Sequence, residues 1–462
     1  MSDKYKKLIS YLLVLEGAII YISLVFNNNV WLDEAFTASL VRTDMAGVLQ
    51  RSMQDTLPPL YNILLKLTTD IFGYEIAVMK LTSVVPMILT MVLSATVFRK
   101  RHGYLASYIF TIALFTMPNL LFYGVEIRMY SLGFFFATAS AIYCYEVIAE
   151  SNIKNWVLFT VFSVLAGYSH HFAFVTVGFV YLFLLLYYIL CERENLKRWF
   201  ICLAATIVLY FPCLVVTLKQ LKSVSGYFSM PDVTFLVFIK YALFPFIVGN
   251  KVLSVLLGLT VLALFVYTVL SYKTMAKVYG LYMFFAFYGV LVFGTIVSKI
   301  MTANIFVDRY LFFAVGLIWI FVSLAVCRLD TRVYVASVIL LLICGLVGYA
   351  KEYRIEYSHS ADAVIDFLDE NVEENDTLYT IEDHEEMAFC LPFYDERLTN
   401  YENLSEAVIK AQEENGDVWL SVIDYSEYDF EELKEFDLEA EFEGTFSFDR
   451  YTFDMYKLKP AS

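Results

Sequence analysis

The chain has 462 residues, of which 59% are hydrophobic, 18% aromatic and 18% charged, with a mean hydropathy of +0.62. Soluble domains carry about 25% charged residues, so this composition excludes an ordinary soluble enzyme, and the aromatic content excludes a disordered chain. The net charge of -15 is unevenly placed: residues 352–462 hold 32 acidic and 7 basic side chains, and residues 1–351 hold 16 acidic and 26 basic. The chain therefore reads as two parts, an apolar and mildly basic domain at 1–351 and an acidic domain at 352–462. The acidic part would repel phosphate backbones, which argues against nucleic acid as a partner. The seven cysteines show no CxxC spacing, so neither a disulfide framework nor a zinc site is expected.

A hydrocarbon core of roughly 30 Å needs about 20 apolar residues per helix. Eleven runs qualify in chain order: 8–26, 76–98, 104–122, 131–149, 155–171, 172–190, 199–217, 252–271, 278–297, 310–327 and 333–350. A shorter run at 234–249 contains Lys240 and Pro245 and reads as re-entrant, interfacial or a helix in a loop. If the eleven spans alternate, Lys4, Lys6 and Lys7 fall on one side with Arg99, Lys100, Arg101, Lys154, Arg193, Lys197, Arg198, Lys273, Lys277, Arg328 and Arg332. The positive-inside rule makes that side cytoplasmic. The N-terminus is then cytoplasmic and retained as an anchor, and the acidic domain is extracytoplasmic. Glu16, inside the first span, reads as hydrogen-bonded to a neighbouring helix. The acidic domain alternates helix-like segments at 360–373, 403–414 and 428–436 with strand-like ones at 377–381 and 417–424. A hairpin follows at 438–447 and 450–458.

The outer loops carry the unusual residues. Asp33 and Glu34 stand in WLDEAF at 31–36, directly after the first span. An acidic pair at a membrane boundary is costly unless it is used or paired; the plain alternative is an N-cap for a helix beginning at Asp33. Asp55 opens DTLPPLYN, in which Pro59 can begin a helix, and Lys66 follows on that helix. Glu126, Arg128 and Tyr130 lie in YGVEIRMYS at 123–131, where Glu126 and Arg128 either neutralise each other or serve a ligand. His170 and His171 share GYSHHFAF at 167–174; adjacent helical positions point about 100° apart, which disfavours joint metal ligation. Arg309 and Tyr310 stand in VDRYLFF at the outer start of the tenth span. The arginine can either snorkel to headgroups or hold a phosphate by paired hydrogen bonds.

These pieces, in this order, resemble the GT-C glycosyltransferases of the protein mannosyltransferase type. The similarity is to the bacterial branch near family 39 and the aminoarabinose transferases. The matching segments are WLDEAF (31–36), DTLPPLYNILLKL (55–67), YGVEIRMYSL (123–132), GYSHHFAF (167–174), YFSMPDV (227–233) and DRYL (308–311). The resemblance implies a polytopic α-helical membrane protein of GT-C type, with about eleven transmembrane helices and a small C-terminal α/β extracytoplasmic domain. It implies transfer of a sugar, with inversion, from a polyprenyl-phosphate donor to an extracytoplasmic acceptor that is a cell-wall glycopolymer, a lipid-linked glycan or a protein. By the same resemblance Asp33 is the general base, Glu34 its support and Asp55 a second carboxylate. Arg128, Arg309 and, more weakly, Lys66 are the donor-phosphate cations. Tyr61, Glu126, Tyr130, His170, His171 and Tyr310 are the substrate contacts. A divalent metal ion is the cofactor left open, with Asp55 and His170 as candidate ligands, and membrane lipid is a further partner. The family's second motif has His where this chain has Leu57, which removes a metal ligand or a substrate hydrogen bond. The competing readings are a flippase or transporter, which predicts charges deep in broken helices, and a non-catalytic binding protein on the same scaffold.

Overall fold

The computed structural model describes residues 2–224, 233–271, 274–300, 305–381, 385–424 and 428–461. Residues 227–232 of the YFSMPDV segment, and Lys273, fall outside these. Helices dominate: α1 (Asp3–Ser23), α2 (Leu32–Leu40), α3 (Met45–Gln54), α4 (Leu60–Phe72), α5 (Ile76–Leu93), α6 (Arg99–Thr116), α7 (Pro118–Val125), α8 (Tyr130–Ala149), α9 (Ile153–Ser169) and α10 (His171–Leu190). They continue as α11 (Leu196–Val224), α12 (Phe235–Ala242), α13 (Lys251–Leu270), α14 (Met275–Ile300), α15 (Phe312–Val326) and α16 (Thr331–Ser358). The last part holds α17 (Asp362–Asn371), α18 (Glu385–Tyr394) and α19 (Leu404–Glu414) with five strands.

The chain divides into two units. The first comprises Met1–Val25, Asp44–Gly73 and Val78–Glu352; the second comprises Phe26–Thr43, Tyr74–Ala77 and Tyr353–Ser462. The division at 352/353 lies within one step of the charge boundary, but the segments 26–43 and 74–77, expected in the first domain, group with the second. The reason is packing: Phe36 meets Phe389 edge to face at 5.7 Å. Arg42 donates to the Phe393 carbonyl at 2.9 Å and pairs with Glu396 at 3.2 Å.

Eight stretches among the described residues are long and apolar enough to cross a membrane. One of them, Ile76–Thr116, covers two predicted spans and breaks at Gly103, whose φ of +86° no β-carbon residue readily adopts. Just before that break the helix widens into a π-turn at Ser94–Phe98. The predicted first and fifth spans are helical as α1 and α9. However, α1 carries Lys6, Lys7 and Glu16, and α9 has 17 residues. The predicted span 104–122 is cut at Met117, because Pro118 cannot continue α6 and instead starts α7. The 234–249 run forms the 8-residue α12 and a 3-10 turn at Phe244–Phe246, too short to span. At the centre of the first unit α15 is buried along its whole length, from Phe312 to Val326. It is apolar on every face, as a helix with neighbours all round must be. Glu16 departs from expectation: its side chain is on the exposed face of α1 and not against a neighbouring helix.

The second unit is a five-stranded mixed sheet of β1 (Thr377–Thr380), β2 (Thr399–Tyr401), β3 (Val418–Ile423), β4 (Leu438–Phe448) and β5 (Tyr451–Pro460), in the order β2-β1-β3-β5-β4. β1 runs parallel to β2 and β3, and β5 is antiparallel to β3 and β4. Crossover helix α19 buries Leu404, Ala407 and Ala411 in the same cluster as Leu420 and Leu458. A helix expected at 428–436 is a 3-10 helix over Phe430–Phe436. α18 and β2 escaped the sequence reading because Pro392 interrupts the helical pattern and β2 has three residues.

Candidate functional site

In the second unit, α2 presents the acidic pair. The helix starts at Leu32, with Trp31 at the N-cap, so Asp33 is one residue inside and does not cap it. The capping contact comes from Glu34, whose Oε2 accepts the Trp31 N–H at 3.2 Å. Glu34 is 4% exposed and Asp33 half-buried. Tail-domain side chains grip the residues just before the helix. The Val30 N–H donates to the Tyr394 hydroxyl at 3.0 Å, which donates on to the Asn28 carbonyl at 2.9 Å. The Leu32 N–H reaches the Tyr451 hydroxyl at 3.4 Å, and the Cys390 thiol faces the Val30 carbonyl at 3.6 Å. Burial pushes the Cys390 thiol well up, and Asp449, Glu34 and Glu386 add to this. Tyr394 is likewise raised well above the usual tyrosine value, first by burial. Both groups therefore stay neutral beside the acidic pair. Sequence reading missed Tyr394, Tyr451 and Cys390 because they lie about 360 to 420 positions from their partners.

In the first unit, Asp55 ends α3, and its Oδ1 accepts the Thr56 N–H at 2.6 Å. Pro58 and Pro59 then lead into α4, with Pro59 at the N-cap rather than inside the helix. Tyr61 on α4 is buried, its hydroxyl 2.6 Å from that of Ser83 on α5. Ser83 also donates to the Arg128 carbonyl at 3.5 Å. The YGVEIRMYS loop is thus tied to the DTLPPLYN helix through one serine. Glu126 and Arg128 are 3% and 8% exposed, and the Arg128 N–H donates to the Glu126 carbonyl at 2.6 Å. Tyr123, at the end of α7, is raised well above the usual tyrosine value by burial and by nearby Glu126 and Asp308; Arg309 opposes them. Glu126, Asp308 and Arg309 thus all act electrostatically on the Tyr123 hydroxyl.

His170 is the N-cap of α10, and its Nδ1 accepts the Phe172 N–H at 3.0 Å. Its ring stacks on Phe313 at 4.3 Å and lies 4.8 Å from the ring of Tyr310. Arg128 and Arg309 both act electrostatically on it. His171 Nε2 is 3.2 Å from the Thr56 carbonyl, which joins the second motif to the fourth. Thr56, Leu57, His170, His171 and Tyr310 line one apolar pocket of about 350 Å³, closed by Phe174, Tyr210 and Val297. Arg309 sits in a one-turn 3-10 helix, Asp308–Leu311, at the head of α15, and Asp308 is paired with Lys240 at 2.9 Å. Tyr130, 1% exposed, packs with Tyr123 and Phe313.

Lys66 stands apart from this set. It pairs with Asp70 one turn along α4 at 2.6 Å, so its charge is compensated on its own helix. The sequence reading also passed over Lys80. This lysine is 1% exposed on α5, on the inward face shared with Ser83. A cation inside the apolar run IAVMKLTSVV was the available signal, since buried charge in a span is expensive. No cluster of three or more His, Cys, Asp or Glu side chains among the described residues suits a metal ion. His170 is a poor ligand as it stands, because Nδ1 is engaged by a backbone N–H.

No protein-family model and no curated protein matches this sequence. Solved structures do. Crystal structures of ArnT from Cupriavidus metallidurans, in the apo state and bound to undecaprenyl phosphate, superpose with a TM-score of 0.65. Each covers 97% of both chains at 12% sequence identity. The chain has the GT-C fold of ArnT. The expected polytopic fold with a small C-terminal sheet domain is therefore observed. At this identity the ArnT-like likeness speaks for architecture, and the chemistry of the chain has to be argued from its own side chains.

Proposed function

We propose that the chain is an integral membrane glycosyltransferase that takes its sugar from a polyprenyl-phosphate donor. The observation that carries this reading is the apolar pocket whose wall holds His170, His171 and Tyr310, with His170 under the influence of Arg128 and Arg309. An apolar slot beside cations suits a ligand that is hydrocarbon at one end and phosphate at the other. That the ArnT of Cupriavidus metallidurans was crystallised with undecaprenyl phosphate supports the same ligand class here.

In this reading the first isoprene units lie against Leu57, Phe174 and Val297, and Arg309 and Arg128 meet the phosphate. A guanidinium can hold two phosphate oxygens at once. Its charge stabilises the leaving phosphate as the bond from the anomeric carbon to the phosphate oxygen breaks. His170, with its proton on Nε2, donates a hydrogen bond to an oxygen of the donor. The acceptor hydroxyl attacks the anomeric carbon from the opposite face, so the configuration inverts, and Asp33 receives the hydroxyl proton. The role of Asp33 rests on its motif and on the scaffold of Glu34, Tyr394 and Tyr451 that fixes α2. The acceptor is an extracytoplasmic glycan, lipid or protein, with the acidic domain on the outer side of the membrane.

The test is transfer in proteoliposomes supplied with a panel of polyprenyl-phosphate sugars. Asp33→Asn should reduce turnover by roughly 10²–10⁴-fold while the protein still inserts and elutes as the wild type does. Unchanged turnover in that variant removes Asp33 from the role of base. A wild-type protein that is inert with every donor, yet moves the lipids across the bilayer, points to a flippase instead.

A further inference from the structure

A second cavity, of about 410 Å³, lies in the first unit at the opposite ends of the helices from the VEIRMYS and SHHF loops. Its walls are the π-turn and the start of α6, the end of α8 and the start of α9, and the charged residues on it are Arg99, Lys100, Glu146, Glu150 and Lys154. The two carboxylates are already spoken for. Arg101 holds Glu146 through two hydrogen bonds of 2.7 and 2.8 Å and reaches Glu150 at 2.6 Å. Asn155 locks the turn between α8 and α9 by donating to the carbonyls of Glu146 and Glu150 at 3.2 and 2.9 Å. Arg99 is held in place by its bond to the Ala95 carbonyl at 2.7 Å and by the ring of Tyr104 at 4.9 Å. Arg99, Lys100 and Lys154 thus face one cavity; Lys100 also acts electrostatically on Glu150, and none of the three forms an ion pair among the described residues. A π-turn in the wall fits this picture, since such turns recur where a helix has been reshaped for a ligand.

We propose that this cavity binds the phosphodiester headgroup of an anionic phospholipid. Counting Arg101, four cations meet two carboxylates here, and this excess of positive charge favours an anion. Their place at the starts of α6 and α9 sets them at headgroup depth. The apolar flanks of α5 and α8, with Val97 and Tyr143 on the cavity wall, give the acyl chains a surface that a free phosphate would not use. The site is separate from the transfer chemistry, so its failure and the failure of the glycosyltransferase reading are distinguishable.

The experiment is native mass spectrometry of the detergent-solubilised protein with phosphatidylglycerol or phosphatidylcholine added. The wild type should retain one phosphatidylglycerol in preference to phosphatidylcholine. The Lys100→Gln/Lys154→Gln double variant should weaken that binding by at least roughly tenfold and leave phosphatidylcholine binding unchanged. The Lys100→Arg/Lys154→Arg variant should restore it, which separates lost charge from lost fold. Equal retention of the two lipids by the wild type, or phosphatidylglycerol binding unaffected by the Gln variant, overturns the proposal. Displacement of the lipid by millimolar glycerol 3-phosphate also overturns it, because the site would then be one for a soluble phosphate.

Discussion

The Nδ1 of His170 accepts the backbone N–H of Phe172 at 3.0 Å, and the imidazole proton therefore sits on Nε2. This Nε2 has no hydrogen-bond partner among the described residues, although the ring is 1% exposed. A buried donor left without an acceptor costs free energy, and in the proposed reading a ligand oxygen in the pocket that His170 lines would remove that cost. One nitrogen of this ring caps α10, and in the proposed reading the other donates to the ligand.

His170→Phe should keep the ring packing against Phe313 and Tyr310 but lose both nitrogens. Because a hydrogen bond to a charged group is worth about 1.5–3 kcal/mol, transfer efficiency should fall by roughly 10–100-fold. His170→Asn retains a capping oxygen but shortens the reach, so it should stabilise α10 better than Phe and remain as poor in transfer. Measuring KM for the lipid donor together with thermal stability separates the two functions of the ring.

Arg309→Lys should be nearly as damaging as Arg309→Gln if the guanidinium grips two phosphate oxygens, since an ammonium supplies a point charge without the fork. A loss of more than tenfold in kcat/KM is expected for each. Recovery of most activity in the Lys variant would reduce the role of Arg309 to general charge.

Tyr394→Phe removes the acceptor for the Val30 N–H and the donor to the Asn28 carbonyl. The Val30 N–H is part-buried and the Asn28 carbonyl exposed, so the loss should be near that of an ordinary hydrogen bond, about 0.5–1.5 kcal/mol. The variant should lower the unfolding midpoint of the second unit. It should also impair transfer through displacement of α2, with the change in turnover larger than the change in donor KM.

Alkaline pH should loosen the same region. Cys390 and Tyr394 have folded-state values well above their ordinary 9.0 and 10.0 because burial penalises the charged forms. Well below pH 9 both are neutral, folded or unfolded, and they cost the second unit no stability. As pH rises past those ordinary values the unfolded chain releases protons that the folded one retains, so stability falls. A melting series from pH 7 to 11 should show this decline, and Tyr394→Phe should flatten the part above pH 10.

Much of the architecture was written into residue order. Apolar runs of about 20 residues match the thickness of a bilayer core, and the hairpin at 438–460 showed its alternation plainly. The short motifs also covered half of the residues that line the pocket, because a histidine pair or an arginine at the head of a span is conspicuous against hydrocarbon. Glu16 and Lys66 show the limit of such reading: one faces outward and the other is neutralised by Asp70, and helix orientation and pairing are not carried by composition. The sequence by itself determined that this is a multi-span membrane chain with an acidic α/β domain, since burial of apolar length is a local property. Only the tertiary structure decided that 26–43 folds with that domain, that Ser83 joins Tyr61 to Arg128, and that Thr56 meets His171. Those relationships join residues 22 to 400 or more positions apart, and packing in three dimensions is what makes them neighbours.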